Sequence, residues 1–263
     1  MREAGRDPSR VPVPLAELVL VRHGESVGNL AAAEAGEKGL ARLDLDYRDP
    51  DTPLSDNGVE QAKALGRHLA ERPYEERPEV VLGSPYVRAS STMEHALAGW
   101  EGAPRPVLDE RLRERDLGLF DGMTGQGIKD TYPEEAARRS AMGKFYYRPP
   151  GGESWTDVVL RVRSVLSDVR ADGSGQRVWV FTHQAVIMAF RYLLESLTEQ
   201  ELLRIDGSTP LGNCSLTVYR PGPGGGLDLV VYGDVDHLEE SEAEPTHEEP
   251  HGPGRTATAG KRS

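Results

Sequence analysis

The chain has a single cysteine, Cys214, in 263 residues, so no internal disulfide can form and nothing in it asks for an oxidising compartment. Long hydrophobic runs are missing too. Apolar stretches such as residues 18–21 and 178–181 fall far short of the ~20 residues that a helix needs to span a bilayer, and the N-terminus lacks the apolar core of a signal peptide. Positive charge is scarce: 31 Lys and Arg against 43 Asp and Glu leave a formal net charge of −12. A nucleic-acid partner, which demands a basic surface to replace the counterions around phosphate, is therefore not expected. A local basic pocket for a small anion remains compatible with this balance. These absences place the chain in the cytoplasm, with neither membrane nor nucleic acid among its expected partners.

At 37% hydrophobic residues the chain can fill one sizeable core, and a single domain is expected over residues 15–237. Residues 1–14 mix Arg, Pro and acidic residues without periodicity and read as a disordered leader. Residues 238–263 hold six Glu and three Lys or Arg among Pro, Gly, Thr and His. That composition predicts a disordered acidic tail, in which His247 and His251 read as solvated rather than metal-binding. Between these ends, short β-branched or apolar runs at 18–21, 80–82, 106–108, 178–181, 215–219 and 227–232 are separated by turns and helical patterns. Ser55 can cap a helix whose inner face is Val59, Ala62, Leu65 and Leu69. Ser84-Pro85 predicts another helix start, running to about residue 97. Ser154 with Asp157 forms a capping-box pattern before apolar residues recurring at three and four, and residues 185–194 predict a further helix. The expected fold class is α/β: a mostly parallel sheet with helices on both faces, in three layers α/β/α.

Three strand-to-helix junctions carry residues suited to an anion: Arg22-His23-Gly24, Ser84-Pro85-Tyr86-Val87-Arg88, and Thr182-His183. In a parallel sheet these junctions share the carboxyl edge, where open α/β sheets bind ligands and helix N-termini offer backbone N–H groups. Phosphoryl transfer suits these residue types. Arg22 and Arg88 can hold a phosphate in bidentate fashion and stabilise its equatorial oxygens. His23, as neutral imidazole, is a competent nucleophile, and His183, if protonated, adds a third cation. A leaving alkoxide needs a proton, for which Glu114 is the best candidate and Asp116 and Asp121 are competitors.

The same residues resemble the histidine phosphatase superfamily, over roughly residues 16–235. Leu20-Val21-Arg22-His23-Gly24-Glu25-Ser26-Val27-Gly28-Asn29 looks like its RHG motif with the downstream asparagine. Residues 54–62 resemble its L-[ST]-x-x-G-x-x-Q-A segment, in which Gly58 and Gln61 shape the turn and helix near the site. Ser84-Pro85-Tyr86-Val87-Arg88-Ala89 resembles its S-P-x-x-R-[AT] motif. The resemblance implies catalytic His23, Glu114 and His183, with Arg22, Asn29, Arg88 and His183 on the phosphate, no metal and no cofactor. It also implies a phosphatase that hydrolyses a small phosphomonoester through phosphohistidine; the alternatives are a phosphoglycerate mutase-type transferase and a non-catalytic phosphate-binding module. Three departures favour phosphatase over mutase. Gly28 stands where mutases tend to have an aromatic residue, the stretch before Leu54 lacks their G-W-x-D pattern, and no arginine-rich signature follows Glu114. Gln184 replaces the usual glycine after the second histidine and can place an amide in the pocket. Arg115 is either a substrate contact or a solvated charge, and Glu153, in a P-x-G-E-S-like stretch, is expected to help close the pocket. Residues 134–154, with Arg138, Arg139, Lys144, Phe145, Tyr146, Tyr147 and Arg148, are either a lid over the leaving group or a solvated basic face with a packed aromatic cluster.

Overall fold

The computed structural model describes residues 15–172, 176–239, 241 and 243–247; the expected leader and the tail beyond 247 lie outside them. Among the described residues, β1 (Glu17–Arg22), β2 (Val80–Gly83), β3 (Val107–Leu108), β4 (Arg177–Thr182), β5 (Leu216–Pro221) and β6 (Leu227–Asp234) form one sheet, ordered β3-β2-β4-β1-β5-β6. β3, β2, β4 and β1 are mutually parallel, while β5 runs antiparallel to both β1 and β6. The α-helices among the described residues are α1 (Val27–Lys38), α2 (Asp56–Glu71), α3 (Val87–Leu97), α4 (Gly125–Thr131), α5 (Pro133–Met142), α6 (Trp155–Asp172), α7 (Gln184–Leu194), α8 (Glu199–Ser208) and α9 (Asp236–Glu239). No helix among the described residues is long and apolar enough to cross a membrane.

The sheet carries a core on each face because its central strands are apolar on both sides. Leu18, Leu20, Val178 and Val180 face Val158, Val162, Ile187 and Phe190 of α6 and α7. Their neighbours Val19, Val21, Trp179 and Phe181 face Leu65 and Leu69 of α2 and Met93 and Leu97 of α3. β1 is buried along its whole length. Even Glu17 at its start is buried, its carboxylate held by Arg72 Nη2 at 3.1 Å and Arg220 Nη2 at 3.0 Å.

Two helix starts match the capping patterns. Ser55 Oγ accepts from Gly58 N at 3.0 Å, and Ser154 and Asp157 exchange side-chain-to-backbone bonds of 2.8 and 3.2 Å. A third differs. The helix expected from Pro85 begins at Val87 with Tyr86 as its N-cap, and the Ser84 hydroxyl accepts from Tyr86 N at 3.2 Å while pairing with His183 Nε2 at 2.8 Å. α8 has no counterpart in the periodicity, yet Thr198 and Glu201 at its start form a full capping box.

The domain boundary expected at residue 237 falls inside packed structure. Leu238 is fully buried and Ala243 nearly so. The peptide of Glu244 pairs with the Asn57 amide in both directions, at 2.9 and 3.1 Å, and Gly212 bridges His247. Composition points to a tail because this segment docks mainly through backbone groups, while the side chains of Glu239 and Glu244 stay exposed.

Candidate active site

β1 delivers Arg22 and His23 to the carboxyl edge of the sheet, and the turn that follows is held from four sides. His23 N donates to Thr182 O at 3.0 Å. Its carbonyl accepts from Cys214 N at 3.0 Å and Asn213 Nδ2 at 3.3 Å. Gly24 N donates to Thr92 Oγ1 at 2.9 Å, and Glu25 N to Gln61 Oε1 at 2.8 Å. Gly24 is required less by a ligand than by the helix behind it: a Cβ there would stand 2.7 Å from Gly58 O, and one on Gly58 would stand 1.9 Å from Glu25 O. The N-terminus of α2 thus touches the turn backbone to backbone.

The His23 ring is 4% exposed, and its Nδ1 lies 2.8 Å from Gly24 O. A carbonyl oxygen only accepts, so Nδ1 carries the hydrogen and Nε2 carries the lone pair. Burial, then Arg88 and Arg22, hold its pKa well below the ordinary 6.5, so the ring is neutral at pH 7. His183, at the end of β4, has its ring centroid 5.2 Å from that of His23. One of its nitrogens, Nε2, pairs with Ser84 Oγ at 2.8 Å, while Nδ1 is buried with no hydrogen-bond partner among the described residues. Burial, Arg88 and His23 also push His183 well below 6.5. It is therefore neutral among the protein groups alone; a phosphate dianion is what would raise it.

Arg22 is 1% exposed, and its Nη1 is bonded to Leu211 O. Arg88, the second residue of α3, is also buried. Its Nη1 lies 2.6 Å from Asp49 O and 2.9 Å from Asp49 Oδ1, and its guanidinium carbon sits 5.3 Å from the Tyr86 ring centroid. Asp49, in a one-turn helix between α1 and α2, is a member of the site that the motifs did not mark. Thr92 and Asn213 are two more, and each acts on the turn through one hydroxyl or one amide. Asn29 Oδ1 accepts from Ser26 N and Ser26 Oγ, both at 2.9 Å, and from Asn213 Nδ2 at 3.3 Å. That fixes the amide with Nδ2 as its donor end.

Glu114 lies in the loop after β3, with Oε1 taking Arg115 N at 2.7 Å and Oε2 3.5 Å from Ala185 N in the first turn of α7. Burial dominates and raises its pKa above the ordinary carboxylate value. The competitors are placed differently: Asp116 and Asp121 are exposed, and Asp116 Oδ1 takes Gly118 N at 2.7 Å. Glu153, expected to help close the pocket, is bound into an ion-pair cluster. Its two oxygens are held by Arg113 Nη2 at 2.7 Å, Arg161 Nε at 2.9 Å and Arg161 Nη2 at 3.0 Å, and Arg161 Nη2 in turn reaches Glu114 O at 3.2 Å. This ion-pair knot anchors the Glu114 loop. Arg115 is half-buried, bonded to Glu153 O at 2.8 Å, and burial lowers it to about 10. Gln184 gives its amide to Asp206 at 3.0 Å, and Lys144 takes the other Asp206 oxygen at 2.6 Å. In the 134–154 segment Phe145 and Tyr147 are packed into the body and Tyr146 is exposed, while Arg148 pairs with Asp157. Of the two expectations for this segment, a lid or a packed cluster, its described contacts are those of the packed cluster.

Residues 18–235 match the family model of the histidine phosphatase superfamily (branch 1). A 2,3-bisphosphoglycerate-dependent phosphoglycerate mutase of Methylobacterium radiotolerans is 34% identical over 202 residues, covering 74% of this chain and 87% of that one. Phosphoglycerate mutase-like protein 4 of Arabidopsis thaliana is 31% identical, over 87% and 90% of the two chains. Among solved structures, mycobacterial glucosyl-3-phosphoglycerate phosphatase aligns with a TM-score of 0.65 and 26% identity, covering 83% of this chain and 98% of that one.

Proposed function

The chain belongs to the histidine phosphatase superfamily, and from that premise we propose that it is a phosphatase hydrolysing a small phosphomonoester through a phosphohistidine on His23. The reading is carried by the opposed shifts of two groups at one site: an imidazole kept neutral with its lone pair on Nε2, and a carboxyl group whose hold on its proton burial strengthens. Such divergent pairs mark an acid and a nucleophile. Nε2 attacks phosphorus as the P–O bond to the leaving alcohol breaks, and Glu114 protonates that oxygen. The resulting Glu114 carboxylate then takes a proton from water, whose oxygen attacks phosphorus as the N–P bond breaks, releasing inorganic phosphate. Arg22, Arg88 and the Asn29 amide carry the phosphate oxygens, and His183 offers Nδ1.

Phosphoglycerate mutase-type transfer is the second reading, favoured by the curated sequence relatives. Against it stand Gly28 and the absence of an arginine-rich stretch after Glu114. Enzyme incubated with ³²P-labelled phosphomonoesters and quenched in denaturing alkali, which preserves the N–P bond, should carry label in wild type and none in His23→Ala. No label together with steady turnover overturns the phosphohistidine route. With 3-phosphoglycerate and a priming bisphosphate, phosphatase releases inorganic phosphate, whereas formation of 2-phosphoglycerate supports the mutase instead.

A further inference from the structure

Residues 244–246, between Glu239 and Glu249 in an acidic stretch, reach the back of the nucleophile turn. Two fully buried amides, Gln61 and Asn213, stand between them. Each has one end on the turn and the other on residues 244–246. Gln61 Oε1 holds Glu25 N at 2.8 Å, while its Nε2 donates to Glu244 O at 2.7 Å and Thr246 Oγ1 at 3.1 Å. Asn213 Nδ2 holds both His23 O and Asn29 Oδ1 at 3.3 Å, while its Oδ1 accepts from Thr246 Oγ1 at 3.2 Å and its N–H donates to Thr246 O at 2.8 Å. A buried amide with one end unbonded can turn over or take a new partner, and here either change would release the groups that orient His23 and Asn29. Among the described residues the Thr246 hydroxyl touches both amides, accepting from Gln61 and donating to Asn213. The backbone carbonyls of Glu244 and His23 set which end of each amide is the donor, and the hydroxyl ties the two amides to one another.

We infer that Thr246 is a positioning residue for the phosphate site: its hydroxyl ties the Gln61 and Asn213 amides together, and through them steadies His23 and Asn29. The inference rests on the phosphatase reading above. Positioning errors well under an ångström already cost rate where an in-line attack is required.

The test uses full-length protein with p-nitrophenyl phosphate as substrate and orthovanadate as the anionic probe. Thr246→Val keeps the shape and removes the hydroxyl; kcat should fall about tenfold and vanadate inhibition should weaken, with the thermal midpoint little changed. Thr246→Ser, which restores the hydroxyl, should recover most of both. Combined with Asn213→Ser, Thr246→Val should add little further loss, since both act on one contact. Unchanged kcat and vanadate inhibition in Thr246→Val beside an active wild type overturns this inference alone. So does an equal loss in the Val and Ser variants that tracks a lower thermal midpoint, the mark of a merely structural residue. A wild type that neither hydrolyses phosphomonoesters nor binds vanadate overturns the phosphatase reading, and this inference with it.

Discussion

His23 and Glu114 are moved in opposite directions by much the same cause. Burial penalises whichever form is charged, so it lowers the pKa of the imidazole and raises that of the carboxyl. The sign for activity follows. Rate needs His23 deprotonated, which holds above its lowered pKa, so the acid limb of kcat/KM should lie below pH 6.5. Rate also needs Glu114 protonated, which holds below its raised pKa, so the alkaline limb belongs to Glu114 and lies above the ordinary 4.5. A pH profile of wild type and Glu114→Gln checks both: the variant should lose the alkaline limb and keep the acid one. For alkyl phosphates Glu114→Gln should cost about 10²–10⁴-fold in kcat. With p-nitrophenyl phosphate, whose phenolate leaves unprotonated, it should give a stoichiometric burst and then stall as phosphohistidine, because the water-activating base is missing. His23, Arg22, Arg88, His183 and Glu114 were legible in the sequence because each sits in a motif at a strand end or loop. Asp49, Thr92 and Asn213 were not, since a single side chain meeting the site from a distant segment leaves no pattern along the chain.

At the scale of elements, the approach of α2 to the nucleophile turn is the closest packing in the site. Gly58→Ala would force a Cβ to within 1.9 Å of Glu25 O, and neither backbone can yield without moving His23. The expected loss is about 3 kcal/mol, read by urea unfolding, with activity falling further than the residual folded fraction explains. α9 gives a pH-dependent contact of its own. His237 faces His68 of α2, ring centroids 5.8 Å apart, and burial together with that neighbour lowers it to about 4. Its unfolded value is about 6.5, so between 6.5 and 4 the unfolded chain binds the proton more readily. Stability is full above this window and lost as pH falls through it. Thermal midpoints at pH 7 and pH 5 should therefore differ less in His237→Leu than in wild type. Period and capping made the long elements readable; α8 could also have been found from Thr198 and Glu201 alone. The docked segment after α9 could not, because backbone hydrogen bonding to Asn57, Gln61 and Asn213 has no compositional signature.

The layered fold was legible at the scale of the whole molecule because the buried strands alternate with amphipathic helices, and the net charge of −12 left room for a local cationic site built from two arginines. What the alternation does not encode is the order of the strands. β1, made first, lies between β4 and β5, with Leu18 opposite both Val178 and Tyr219. Such non-local pairing is slow to form, and it gives synthesis of this protein a direction. Neither neighbour of β1 exists until the chain has been translated through β4 (Arg177–Thr182), so until then an apolar strand waits unpaired at the ribosome. Ribosome-bound chains arrested before β4 should be cleaved rapidly by protease, and those extended beyond β5 should resist it. His23 is thus translated before Thr92, Thr182 and Asn213, whose bonds hold its turn.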